Sequence, residues 1–439
     1  MLVLHTEGCN KNNNKIISIA GQHSAVLQWK LIKSSYMQKQ TASVMMLISV
    51  FLMCGLGGVE VDLFIPGFPE IQRDFSLSPF GVEMLLSANF IGYCVSCFLV
   101  GALSDIFGRK PIIVLGLVVF IIGSILCVFA PFYSFLIIGR ALQGIGVAAP
   151  ATLSFLIVAD LYSVKKTQYI LGIMNGIITI AMTAAPVIGC YLSMYYHWQG
   201  NFIALLLLGI ACLIMAALYL PQHKAPKKRE AFSLRDFVPL FQNRELVTLM
   251  IALVFICAAY WVFIGIAPVL YMEDLGVSLK DFGYYQGSLA MTFGVISFMA
   301  GRIIERYGQQ LSLNASLFLC VAGSLMLAVL TLNNCDDPLS ITLAMLVFSA
   351  GVVMPITILY PMTLAIFPEA KGRVTAIWQS SRLIMTSIGL QTAGYFYNGT
   401  FQIIGIIILS CFVIAFTALA IILLNKTRYG LATAEETTT

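Results

Sequence analysis

Charge is scarce in this chain. Only 10% of its 439 residues are Asp, Glu, Lys or Arg, where a soluble domain carries about 25%. With 59% hydrophobic residues, the chain lacks the polar surface that water demands, so its solvent is a bilayer. Histidine is scarcer still. All four copies (His5, His23, His197, His223) fall in tails or loops, so proton chemistry inside the membrane must use carboxylates. No nucleophile constellation, metal cluster or phosphate-binding loop is present, which argues against an enzyme and for the absence of any metal or cofactor. The first forty residues lack the short apolar core and small-residue cleavage site of a signal peptide. They read as a disordered or surface-lying tail, and Met37 offers an alternative start. The eleven cysteines are scattered through apolar segments, as free thiols acting as small hydrophobes. Cys94 and Cys97 have redox-motif spacing, but they lie inside a spanning segment and read as packing.

What the chain has is long apolar runs. A spanning helix needs about 20 mostly apolar residues. Twelve segments qualify, at approximately 43–66, 80–102, 111–130, 134–159, 169–194, 201–220, 247–271, 282–304, 311–332, 340–365, 374–397 and 401–424. They are too long for barrel strands, and open sheet cannot span lipid, so the fold class is all-α integral membrane. The basic, polar stretch 221–246 separates six segments from six. The expected organisation is a tail (1–42), a six-helix bundle (43–220), a linker (221–246), a second bundle (247–424) and a tail (425–439).

Sidedness follows from lysine and arginine. With the amino terminus inside, twenty-one of the twenty-five basic residues fall in inner tails and loops, and only Arg73 and Lys280 fall outside. Both termini are therefore expected in the cytoplasm. The net charge of +5 follows this membrane asymmetry and is no nucleic-acid signal.

One inner loop repeats. Gly101-Ala-Leu-Ser-Asp105-Ile-Phe-Gly108-Arg109-Lys110-Pro111 returns as Gly301-Arg-Ile-Ile-Glu305-Arg-Tyr-Gly308. Each copy has Gly, an acid four residues on, then Gly three further. A repeated charged loop between apolar segments means two homologous halves, which points to a transporter.

The first copy resembles the helix 2–3 signature of the major facilitator superfamily. Arg140-Ala-Leu-Gln143-Gly144-Ile-Gly146 is similar to that superfamily's helix 4 motif. Helix 5 resembles its antiporter motif, reading Gly172, Ala181, Ala185-Pro186 and Gly189-Cys190, with three glycines replaced by Ala, Ala and Cys. Helix 1 ends Asp62-Leu-Phe-Ile-Pro66-Gly67-Phe-Pro69, which with the loop is similar to the Bcr/CflA drug-resistance subfamily of proton-coupled exporters. The resemblance covers about residues 43–424. It implies two pseudo-symmetric six-helix bundles rocking about a central site, in a monomer of the bacterial inner membrane. The proton gradient would drive it, with small amphipathic drugs or metabolites as substrates. The alternative is uptake or facilitated transport of a metabolite or siderophore by the same fold.

The resemblance also implies roles. Gly101, Asp105, Gly108, Arg109 and Lys110 form a gating latch, in which Asp105 and Arg109 act with the start of helix 11. Helix 5 packs on helix 8, so the stripe Ala181, Ala185, Gly189 is expected against Gly287 and Gly294. Asp62 is placed at the central cavity.

Charges at the bilayer centre cost at least about 2.5–3.5 kcal/mol on insertion scales, so each needs a reason. Glu60 and Asp62 are two residues apart, about 200° on a helix, so they face different ways. Asp62 either couples protons or merely ends the helix at the headgroups, and Glu60 is either a second titratable group or an interfacial one. Arg140 lies roughly 9 Å deep in helix 4, at a depth where it can pair with Asp62. That pair is either permanent or switchable. Arg382, in helix 11, either snorkels toward the inner surface near Asp105 or enters the cavity and favours anionic or zwitterionic substrates. Asn89, Gln143, Asn175, Tyr260, Trp261, Gln286 and Trp378 could line a mixed apolar and hydrogen-bonding pocket.

Overall fold

The computed structural model describes residues 44–162, 164–221 and 237–424. Both tails, Met37 and most of the linker lie outside the described residues. All regular structure among the described residues is helical. Helix α1 (Val44–Val59) is followed by a turn, a 3-10 turn at Ile65–Gly67 and the short α2 (Phe68–Asp74). Next come α3 (Pro79–Phe107), α4 (Arg109–Val128), α5 (Tyr133–Leu161) and α6 (Val164–Tyr219). The second half holds α7 (Val238–Gln242), α8 (Arg244–Pro268) with a π turn at Val269–Asp274, α9 (Leu279–Tyr307), α10 (Gln309–Leu332), α11 (Pro338–Ile366), α12 (Lys371–Phe396) and α13 (Phe401–Leu424).

Helix α6 is two helices met at a kink, where His197 takes φ 56°. Its two arms match the expected segments 169–194 and 201–220. Among the described residues nine helices, α6 counted once, are long and apolar enough to cross a membrane, and the shorter α1 and the less apolar α12 lie on the two remaining expected runs. Helix α1 ends earlier than expected. Pro66 clashes with the carbonyl four residues back and disfavours helix at the residue before it, so Glu60 to Phe64 form turns rather than continued helix.

The internal repeat is visible in local geometry. Ser78 caps α3 by accepting from Gly81 N–H, and Ser278 caps α9 by accepting from Asp281 N–H. Both helices run 29 residues, about 43 Å, and so reach past the hydrocarbon core. Both then turn on a glycine, Gly108 at φ 94° and Gly308 at φ 78°. That left-handed region excludes most side chains, which explains why the repeated loop keeps Gly there. Asn243 and Asp337 cap α8 and α11. The two bonds Asp337 accepts from the Ser340 hydroxyl and N–H hold its carboxyl below the usual carboxylate range.

Within the first half α5 packs on α3 and α4, and α4 packs on α6. Within the second, α10 packs on α11, α8 on α13, and α9 on α11. The halves meet along two seams, α3 with α12 and α6 with α9. Glycines thread these contacts. A Cβ at Gly144 would overlap Asn89 O, one at Gly146 would overlap Phe120 N, and one at Gly323 would lie 2.6 Å from Phe348 N. Close backbone approach of this kind replaces the hydrophobic effect, which lipid does not supply.

The seams are tight at the helix ends remote from the Gly108 and Gly308 loops. There Arg73 Nε lies 3.6 Å from Glu273 Oε1, Tyr191 and Tyr284 hydroxyls meet at 3.3 Å, and Gln391 Nε2 donates to Ser87 Oγ at 2.9 Å. At the loop end, a Cβ added at Gly101, Gly172, Gly176, Gly301 or Gly372 meets no described atom within 4 Å. The described contacts between the halves thus include three polar ones at the far end, while these five glycines near the basic end are open.

Candidate functional site

The site begins where α1 stops. Gly57 and Gly58 let α1 lie close against Ala151 of α5 and Ile178 of α6. The turn that follows carries Glu60 and Asp62 into the protein, 2% and 6% exposed. Their partners differ. Glu60 Oε1 accepts from Arg140 Nη1 at 2.9 Å and from Asn89 Nδ2 at 2.6 Å. Arg140 Nη1 also donates to Gln143 Oε1 at 2.7 Å, and Gln143 Nε2 donates to Ser124 Oγ at 2.8 Å. The guanidinium carbon stands 3.8 Å from the centre of the Phe64 ring.

Asp62 has no hydrogen bond or ion pair among the described residues. Its electrostatic neighbours are Glu60 and, on α8 of the second half, Tyr260. The pairing expected between Asp62 and Arg140 is therefore not formed: Glu60 takes the arginine. Once the helix breaks at Val59, the turn directs Glu60 into its own half and Asp62 toward the other. Glu60 and Arg140 cancel in charge, so a proton on Asp62 changes the cluster from net −1 to neutral.

The candidate pocket residues scatter. Asn89 and Gln143 belong to the buried network and are 1% and 0% exposed. Asn175 is exposed on α6. Gln286 is buried inside the second half among Phe263, Tyr271, Leu289 and Thr342, with no partner for either amide atom. Trp378 lies against Tyr360, with ring centres 5.7 Å apart. Tyr260 and Trp261 reach the meeting of the halves. Tyr260 sits beside Asp62 and stacks on Phe293, and Trp261 meets Phe90 of α3 edge to face at 6.4 Å.

Arg382 joins them. It is half-buried, donates to Gln379 Oε1 at 3.1 Å, and acts electrostatically on Tyr93, Cys94 and Cys97 of α3 and Cys257 of α8. It thus faces the middle of the protein rather than snorkelling. Among the described residues no carboxylate pairs with it.

At the basic end, Arg109 donates to Ser104 Oγ and lies 3.4 Å from Asp160 Oδ2, both in the first half. Lys110 Nζ donates to Ala217 O at 2.7 Å. The side chain of Asp105, the other latch residue, lies outside the described residues. The helix 5 stripe faces elsewhere than expected. Gly189 abuts Leu63 O and Pro66, and Ala181 meets Gly58, so this stripe seats α1. The face that meets α9 is Thr179, Thr183, Val187 and Cys190, against Gly283, Gly287 and Gly294. Two residues along a helix is about 200° round it, which puts the two stripes on opposite faces. Gly172 and Pro186 also lie on α6, Gly172 in open space.

One buried charge escaped the sequence reading. Glu83 stands near the start of the second apolar run, where an acid reads as a headgroup residue. In the structure it is 0% exposed. The signal was its spacing, four residues before Ser87 and on the same helix face.

Two bundles with a shared internal repeat, meeting at two seams around buried charge, define a membrane transporter. The chain belongs to the Major Facilitator Superfamily, whose model matches residues 45–390. It is an integral protein of the bacterial inner membrane. It is 26% identical over 285 residues to a bicyclomycin resistance protein homolog of Haemophilus influenzae, covering 64% of this chain and 72% of that one. It is 27% identical over 312 residues to the multidrug resistance protein MdtL of Escherichia coli, covering 69% and 79%. Among solved structures a D-xylose–proton symporter shares the fold (TM-score 0.68, 15% identity, 85% of this chain and 97% of that one). So does a bacterial homolog of the human lysosomal transporter Spinster, solved inward-facing and unoccupied (TM-score 0.65, 15% identity, 85% and 95%).

Proposed function

We propose that this chain exports small amphipathic compounds in exchange for protons, by alternating access, with both termini in the cytoplasm and no cofactor. The observation that carries the reading is Asp62: a buried carboxyl without a partner, turned toward Tyr260 of the opposite half, beside a neutral Glu60–Arg140 pair. A group at the boundary between halves is exposed to one side or the other as they rock. It accepts a proton from outside and loses it inside, while substrate takes the reverse path. Entry of the proton supplies about 2.3 kcal/mol per charge per 100 mV, and about 1.36 kcal/mol for each unit of pH difference. The names of the bacterial relatives support drugs as substrates. The seal at the far end and the open flanks at Gly101 and Gly301 fit an inward-facing state. The latch of Asp105 and Arg109 stabilises the outward-facing state. The protein works as a monomer.

Asp62→Asn tests the reading. In inverted vesicles it is expected to abolish pH-driven export while the purified protein stays folded. Export that persists with its pH dependence intact removes Asp62 as the coupling group.

Arg382 supports a second reading, in which the substrate is an anionic or zwitterionic metabolite, taken up or released. A cation without a carboxylate partner at the centre selects against cationic drugs. A substrate screen in proteoliposomes with an imposed pH gradient separates the two readings by direction and by substrate charge.

A further inference from the structure

The seam between α3 and α12 holds a carboxyl that the Asp62 site does not use. On α3, Phe80, Glu83 and Ser87 follow at three- and four-residue spacing and share one face. Phe80 meets α12 at Gly394, where an added Cβ would lie 2.8 Å from Phe80 Cα. Its ring stands edge to face against Tyr395 at 6.4 Å. Ser87 Oγ accepts from Gln391 Nε2. Glu83 lies between these two contacts, 0% exposed. Across the seam it faces Gly265 of α8, where an added Cβ would lie 3.2 Å from Glu83 Oε2 and would also strike Leu390 of α12. Neither carboxyl oxygen has a hydrogen-bond partner.

No cation is at hand. The charged and titratable groups on the elements packed against α3 begin with Tyr133, Arg140 and Asp160 on α5. Others are Lys371, Arg373, Arg382 and Tyr395 on α12, Arg244, Glu245, Cys257 and Tyr260 on α8, Glu70, Arg73 and Asp74 on α2, and Arg109, Lys110 and Cys127 on α4. None bonds to Glu83. Lys371, Arg373, Arg244 and Glu245 start their helices at the basic end, remote from Glu83. Arg140 is held by Glu60, Arg382 by Gln379, Arg73 by Glu273, and the Tyr133 hydroxyl by Gly81 O. A buried ionised carboxylate without a partner is far costlier than a neutral carboxyl. Closing this seam over an ionised Glu83 therefore opposes closure, and closing it over a protonated one does not.

We propose that Glu83 is a second proton-binding site, and that sealing the far end of the transporter requires a proton on it. When the seam opens, Glu83 meets the water outside, and one of its oxygens takes a proton from that water. The seam then closes over a neutral group. The same proton returns to the same side when the seam reopens, so none crosses the membrane at Glu83. Asp62 sets how many protons move, and Glu83 sets the external pH at which the far end can close. The proposal rests on alternating access but not on the direction of transport or on the substrate.

Hydrogen exchange of the full chain in lipid nanodiscs tests it, read at residues 79–90 of α3 without substrate or gradient, after scaling for intrinsic exchange. In the wild type, protection is expected to fall about tenfold per pH unit above the midpoint of a one-proton transition. Glu83→Gln, a permanent mimic of the neutral form, is expected to stay protected at every pH. Glu83→Asp is expected to keep a pH response with a moved midpoint. A Glu83→Gln protein that responds like the wild type overturns the proposal, and so does a wild type whose protection is flat with pH. Asp62→Asn is expected to leave this exchange response intact, so loss of the Asp62 reading and loss of this one give different results.

Discussion

Glu60 and Asp62 differ by one methylene and two positions, yet they occupy unlike surroundings. Glu60 balances Arg140 inside its own half. Removing one partner of a buried pair strands the other charge, at a cost of about 3–5 kcal/mol. Glu60→Gln is therefore expected to lower the thermal unfolding temperature of the detergent-purified protein markedly. Asp62→Asn strands nothing and is expected to leave that temperature nearly unchanged or raise it, while transport is lost. Equal destabilisation by the two substitutions would show that Asp62 has a structural partner after all. Arg382 allows a parallel test. Arg382→Ala is expected to shift substrate preference toward cations, measured as relative transport of compounds matched in shape but not in charge. Unchanged selectivity would place the guanidinium outside the substrate path.

Helices approach closely where glycine permits. Gly144 of α5 lies against the α3 backbone at Asn89, so Gly144→Ala drives a methyl group into a carbonyl. The expected loss is about 1–3 kcal/mol, the usual cost of overpacking. Gly172 of α6 has no described atom near it. There Ala removes glycine's helix penalty, and Gly172→Ala is expected to be neutral or to gain up to about 1 kcal/mol. Unfolding temperatures of the two variants, measured side by side, check the contrast. The motif to which each belongs does not predict it, since both glycines stand in recognisable family signatures. The helix 5 stripe teaches the same point. Ala181 and Gly189 are small where α1 and its turn lie on them, and the seam to α9 uses the opposite face of the same helix.

The two halves must part at the far end for substrate to leave, which makes that seal open to mechanical test. A Cβ added at Gly283 of α9 would lie 3.3 Å from Cys190 Cβ of α6 and 2.9 Å from its sulfur. Disulfide-bonded Cβ atoms stand about 3.5–4.5 Å apart, so a small shift suffices. Gly283→Cys is expected to form a disulfide with the native Cys190 on oxidation. The bond would lock the far end shut, stop transport, and release it on reduction. Full transport by the oxidised, cross-linked protein would rule out opening along α6 and α9.

Much of this is legible in the sequence alone. Apolar run length is a one-dimensional property, because a helix satisfies its own backbone and a bilayer has a set thickness. The all-helical membrane fold and the repeated Gly108 and Gly308 turns follow from that, and charge scarcity made Glu60, Asp62, Arg140 and Arg382 stand out as the residues needing a reason. Which of them meet is another matter. Depth along a helix placed Arg140 level with Asp62, but a break at Val59 turned Glu60 to it instead. The same limit hid Glu83. Nothing in its place near the start of an apolar run marks it as buried, and only the closure of α12 and Gly265 over it makes it so. Spacing along the chain tells which residues share a face. Which face meets which neighbour depends on contacts between distant segments, and those exist only once the bundles have packed.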